Sequence, residues 1–137
     1  SDGEGLAFQG TTDGSNYNTQ ITSAHFSAYH LEDDSATSLA YNSAAELQNG
    51  TGFQPLTRNV GSGATEGTCG FIHLYNPSGT THVKHFMARS SAHAANDNCY
   101  DNYCSGYFNT TSAITGIQFK ATSGNLESGT FKLYGVN

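Results

Sequence analysis

Turn-forming residues cut this chain into runs too short for long helices. Asn76-Pro77-Ser78-Gly79 puts Pro second and Gly fourth in a four-residue turn, as type I geometry favours. Thr122-Ser123-Gly124-Asn125, Ser128-Gly129 and Asn49-Gly50 mark further breaks. Between the breaks, apolar and polar side chains alternate with the period of two that gives a strand one buried and one wet face. Ile117, Phe119 and Ala121 alternate with Gln118, Lys120 and Thr122, and after the next turn Phe131, Leu133 and Gly135 alternate with Thr130, Lys132 and Tyr134. These two runs are expected to pair as a hairpin, with a bulge at the glycines.

Composition points the same way. Gly, Ser, Thr and Asn make up 59 of 137 residues and only 12% are charged, which excludes the Ala/Glu/Lys/Leu-rich make-up of a helical bundle or coiled coil. Eight Phe and eight Tyr supply more aromatic surface than a disordered polar chain carries. At 14.5 kDa the chain is the size of one domain, spanning 1–137. Its first residue is Ser1, so it reads as trimmed or as part of a longer chain.

Further strands are expected over residues 5–10, 19–31, 54–60, 69–75, 82–88 and 106–109. Residues 69–75 are apolar on both parities, as a central sandwich strand would be, and should form a second hairpin with 82–88. About seven or eight short strands at this spacing indicate an all-β fold, an antiparallel β-sandwich of jelly-roll type. Ser43-Ala44-Ala45-Glu46 has a capping-box pattern that supports a single helical turn. Residues 60–68 and 90–98 read as loops, the places where sandwiches carry binding surfaces.

Eleven acidic against five basic residues give a net charge of −6, and Arg58, Lys84, Arg89, Lys120 and Lys132 lie scattered. A nucleic-acid surface needs clustered bases, so no nucleic-acid partner is expected. No apolar run approaches the length of a membrane helix, and membrane insertion is not expected.

Three cysteines allow at most one intrachain bridge, and Cys99 with Cys104 is the natural pair; that bridge and three reduced thiols are both compatible with the spacing. The histidines do not suggest a metal, because His82 and His85 would point to opposite faces of a strand, and His25 and His30 also differ in parity. Residues 96–102 are dense in oxygen ligands but lack EF-hand spacing, so a solvated loop of Asx turns is expected, as for Glu32-Asp33-Asp34. No metal or cofactor is therefore expected. Two glycosylation sequons begin at Asn49 and Asn109, which chance readily produces in such a composition.

Tyr100, Tyr103 and Tyr107, with Asp97 and Asp101, form the candidate contact surface on a loop expected over 96–108. Aromatics beside carboxylates can stack on sugars or anchor a protein partner, and core filling is the competing role for some of them. No nucleophile elbow, phosphate loop or zinc-protease motif occurs, so no catalytic residue is assigned.

Residues 71–86, 106–119 and 123–136, the last containing Gly129-Thr130-Phe131-Lys132-Leu133-Tyr134-Gly135, resemble a family of tailed-bacteriophage virion proteins that end in a β-sandwich closing on a Gly-Thr-Phe-x-Leu-Tyr-Gly strand. The resemblance implies a non-enzymatic structural component of the particle exterior, either a tail-fibre or receptor-binding module or a capsid decoration, present in several copies on the virion. Its partners would be copies of itself, other virion proteins and a host surface glycan. It also implies one or two strands upstream of the segment that opens this chain, so the sandwich is expected to be short of strands. The Cys99/Cys104 segment is not part of that pattern. A lectin-like carbohydrate-binding module using residues 96–108 is the alternative, and a polysaccharide-degrading enzyme working through a carboxylate pair is the third reading.

Overall fold

The computed structural model describes residues 3–136 and is an antiparallel β-sandwich of eight strands with no helix among them. The strands are β1 (Leu6–Thr11), β2 (Ile21–Leu31), β3 (Thr37–Tyr41), β4 (Gln54–Pro55), β5 (Thr68–Leu74), β6 (Lys84–Ala94), β7 (Asn98–Phe108) and β8 (Gly116–Ala121). One sheet has five strands in the order β3-β2-β7-β6-β5, the other three in the order β4-β1-β8. Strands β5, β6 and β7 follow one another as a meander, and the β2–β3 hairpin joins it through β2 against β7.

Asn and Asp make the tight turns, because their short polar side chains tolerate the left-handed region better than other non-glycine residues. Asp97 closes the three-residue β6–β7 connection at φ 50°, with its N–H donating to the Ala94 carbonyl at 3.1 Å. Asp34 does the same for β2–β3 at φ 60°, donating to Leu31 at 3.1 Å.

The core lies between the sheets. Phe8 of β1 meets Phe86 of β6 edge-on at 5.0 Å and Phe108 of β7 at 5.8 Å, and all three are fully buried. Ile21, Leu56, Ala88, Cys104 and Ile114 complete the cluster. Two glycines let these rings approach the backbone: a Cβ on Gly10 would sit 2.9 Å from the Phe108 ring, and one on Gly106 would sit 2.8 Å from Phe86 Cζ. Of the buried polar side chains, Gln9 and Lys84 are tied in, whereas Asn102 and His25 Nε2 have no hydrogen-bond partner among the described residues. Gln9 Nε2 donates to the carbonyls of Thr19, Thr51 and Gly52, and Lys84 Nζ donates to those of His82, Thr110 and Thr111.

Several expected boundaries move. Residues 90–98 are not a loop: β6 runs on to Ala94, and its inner face continues as Ser90, Ala92 and Ala94, small side chains packed under the opposing layer. Residues 98–108 form one central strand, so 106–109 is the end of a strand that begins much earlier. The segment 69–75 becomes β5 at the sheet edge rather than the centre, mostly exposed, though it does pair with β6 as expected. Within 54–60 only Gln54–Pro55 is a strand. Asn42 to Ala45 make one turn, closed by Ala45 N–H to the Asn42 carbonyl at 3.0 Å. The expected hairpin of 117–122 with 130–136 does not form: β8 pairs with β1 instead, and 130–136 belongs to no strand.

Candidate functional site: the outer face of the five-stranded sheet

Alternation sends every second residue of β2, β3, β5, β6 and β7 away from the core, and the register lines these up in rows. Tyr41 faces Phe26, Phe26 faces Tyr103, Tyr103 faces Arg89, and Arg89 faces Phe71, so one row crosses all five strands. Phe26 and Tyr103 stack at 4.7 Å with their planes 5° apart, and the Arg89 guanidinium lies 4.7 Å from the Tyr103 ring centre. Phe26, Tyr41 and Phe71 keep 41%, 57% and 55% of their surface exposed, far more than core aromatics would.

Charge holds the middle of this row in place. Arg89 Nε donates to Asp101 Oδ1 at 3.0 Å and a terminal guanidinium nitrogen donates to Oδ2 at 2.8 Å, a bidentate fork. The Tyr103 hydroxyl donates to the same Oδ2 at 3.1 Å. The guanidinium and the hydroxyl together hold the Asp101 carboxyl below the usual carboxylate range, and Asp101 in turn holds Arg89 protonated still more firmly. At the Tyr41 end, the tyrosine hydroxyl bonds Glu46, which raises the phenol and lowers the carboxyl.

A depression flanks the row on each side. The larger, about 590 Å³ and open to solvent, has Ala24 and Ser105 on its floor and Tyr75, His85, Met87 and Tyr107 around it. His85 meets Tyr107 edge-on at 5.8 Å there. The smaller, about 300 Å³, is lined by His30, Glu32, Ser91, His93 and Cys99.

Of the residues singled out from the sequence, Tyr103, Tyr107 and Asp101 share this outer face, on a strand rather than on the expected loop. Tyr100 does not join them. It has the opposite parity and stacks on Tyr29 at 5.3 Å on the inner side. Asp97 sits in the β6–β7 turn, at the end of the sheet. The Cys99–Cys104 pairing is corrected: both lie on β7 five residues apart, about 17 Å along an extended strand, with Cys99 exposed and Cys104 buried on opposite faces. All three thiols are free, and burial pushes the Cys104 thiol up to about 12. The sequon residues Asn49 and Asn109 bond each other, Asn109 Nδ2 donating to Asn49 Oδ1 at 2.9 Å.

Sequence reading missed Phe26, Tyr41, Phe71 and Arg89. The signal was present in the strand parity of 26 and 71, but assigning them to one surface needs the cross-strand register. Among the described residues, the group able to converge on a cation is Glu66, His93 and Asp97, whose ligand atoms lie within 4.8 Å of one another. His93 Nε2 also lies 3.7 Å from a Glu32 oxygen. No helix of the described residues is long and apolar enough to cross a membrane. No family model, curated protein or solved structure matches the chain.

Proposed function

We propose that this chain is a non-enzymatic binding module, displayed in several copies on the exterior of a phage particle, that meets its partner through the outer face of the five-stranded sheet. The aromatic row Tyr41, Phe26, Tyr103 and Phe71, with Arg89 set into it, carries the reading. Exposed aromatics gathered on one rigid face, with polar tips and a fixed guanidinium beside them, mark an interaction surface. Rings held on a sheet pay little conformational entropy on binding, and both sugar faces and protein side chains stack on them. Assignment to a phage particle is supported by the likeness of residues 71–86, 106–119 and 123–136 to tailed-phage virion proteins.

Within this reading the receptor-binding role is favoured over capsid decoration. The depression beside the row combines Tyr75 and Tyr107 with His85 and Ser105, the mixture of stacking planes and hydrogen-bonding groups that suits a surface glycan. The same depression favours the second reading, a lectin-like carbohydrate-binding module acting away from a particle. Asp101, the carboxylate in the middle of the row, is paired with Arg89 and kept ionised, which unfits it to donate a proton and does not favour acid catalysis there.

An array of bacterial envelope glycans probed with the intact chain and with Tyr103→Ala tests this. The reading expects glycan binding weakened at least tenfold by the substitution. Saturable binding to empty capsids without glycan binding would move the role to decoration, and binding to neither would overturn it.

A further inference from the structure

After β8 the chain passes through residues 122–129 and continues to Val136 outside both sheets. Leu133 is 100% exposed, Val136 91%, Tyr134 74% and Phe131 57%, an unusual concentration of apolar surface in one short segment. Among the described residues, none of 129–136 makes a backbone hydrogen bond, and the segment touches the body through the Phe131 ring, 4.9 Å from Phe119. Its side chains nevertheless alternate like a strand's.

A matching vacancy lies beside it. The order β4-β1-β8 leaves β8 with a partner on one side and an open edge on the other. An open edge presents unpaired N–H and C=O groups that template another strand. The six residues of β8 extend about 20 Å and the seven of 130–136 about 23 Å, so the lengths fit.

Within the single copy this edge is left open, since residues 130–136 belong to no strand. Thr122 N–H donates to the Gly5 carbonyl at 2.8 Å, the Thr122 hydroxyl accepts from Gly5 N–H at 2.9 Å, and it donates to the Glu4 carboxylate at 2.6 Å. These three bonds carry the β1–β8 pairing one residue further and end the strand there. The following residues, 123–129, are exposed, polar apart from Leu126, and include Gly124 at φ 69° and Gly129, a pliable connection.

We propose that residues 130–136 act as an exchanged strand, pairing with the open β8 edge of a second copy of this chain while that copy's segment pairs reciprocally. Each three-stranded sheet thereby gains a fourth strand, Phe131 and Leu133 cover Ile117 and Phe119 of the partner, and the arrangement closes as a symmetric dimer. The inference rests on the proposed function only in its need for several copies, and it is read by association rather than by partner binding.

Sedimentation of the intact chain, joined to hydrogen exchange, tests it. The expected result is twice the chain mass, with amides of 117–121 and 130–136 protected. A variant ending at Glu127 should run as a monomer, with the alternate amides of 117–121 that face the open edge newly exchanging and those bonded to β1 and the rest of the sandwich unchanged. Should that variant misfold, Leu133→Asp in the full chain, a site wholly exposed in the single copy, should weaken the dimer at least tenfold. A monomeric intact chain, a larger open oligomer, a dimer that survives both changes, or a dimer with 130–136 unprotected would each overturn the proposal. A monomer that still binds glycan would overturn it while leaving the binding face intact.

Discussion

Acidification from pH 7 to pH 5 should destabilise this sandwich chiefly through one imidazole. His25 on β2 is fully buried, its Nδ1 faces the Asn42 amide at 3.2 Å, and its Nε2 has no hydrogen-bond partner among the described residues. Burial, with a smaller push from Arg58, brings its pKa down to about 4 from 6.5. The folded protein therefore holds His25 neutral while the unfolded chain takes up a proton. The stability this contributes is complete above the unfolded value and is lost as pH falls from about 6.5 toward about 4. Proton linkage over that interval gives a loss of about 2 kcal/mol by pH 5 and almost none at pH 7. With a urea slope of about 1–3 kcal/mol/M for a chain of this size, the unfolding midpoint should fall by roughly 1 M. The carboxyls held low by their neighbours, among them Asp33, Glu46 and Asp101, lose their contribution only below this window. Urea melts of the wild type and of His25→Leu, which cannot titrate, supply the comparison. The variant should show no comparable drop between the two pH values, whatever its absolute stability. An equal drop in both proteins, or none in the wild type, would refute the reasoning.

Other outcomes follow from particular contacts. Phe8→Ala removes the ring that joins the two sheets and should cost about 3–5 kcal/mol, measured as a loss of urea midpoint. Lys84→Met keeps the buried stem but strips three carbonyls of their donor, and should cost about 2–3 kcal/mol while loosening residues 110–111 in hydrogen exchange. Native thiol labelling should modify Cys69 and Cys99 and spare Cys104, and intact mass should not rise on reduction; a two-dalton increase would contradict the opposite-face placement of Cys99 and Cys104.

The most legible strand was β8, where Ile117, Phe119 and Ala121 stand at alternate positions, and β5 was visible as an apolar run, although its place at the sheet edge was not. The second half of β6 was missed because its inner face is Ser90, Ala92 and Ala94, residues too small or polar to register as a hydrophobic period, yet well suited to close packing; the Ser90 hydroxyl finishes the site by donating to the Leu56 carbonyl at 3.2 Å. β7 hid for a related reason, since Asn98 and Asn102 occupy its buried positions. Once 98–108 is known to be a strand, the parity of Cys99 and Cys104 forbids their bridge and leaves the reduced thiols, a choice that the loop assignment had kept open. The run 130–136 shows the opposite limit: alternation identifies a segment able to pair but carries no information about its partner. The binding face was half legible for the same reason. Tyr103, Tyr107 and Asp101 stood together in the chain, whereas Phe26, Tyr41, Phe71 and Arg89 reach them only through register.

The most direct test of the central claim is chemical-shift mapping of the intact chain titrated with a glycan selected from the envelope array. The account predicts perturbations concentrated on the outward residues of β2, β6 and β7, Phe26, Met87, Arg89, Tyr103 and Tyr107 foremost, and their disappearance in Tyr103→Ala. Perturbations confined to the small sheet or to the loop at 61–67, with the aromatic row silent, would contradict it.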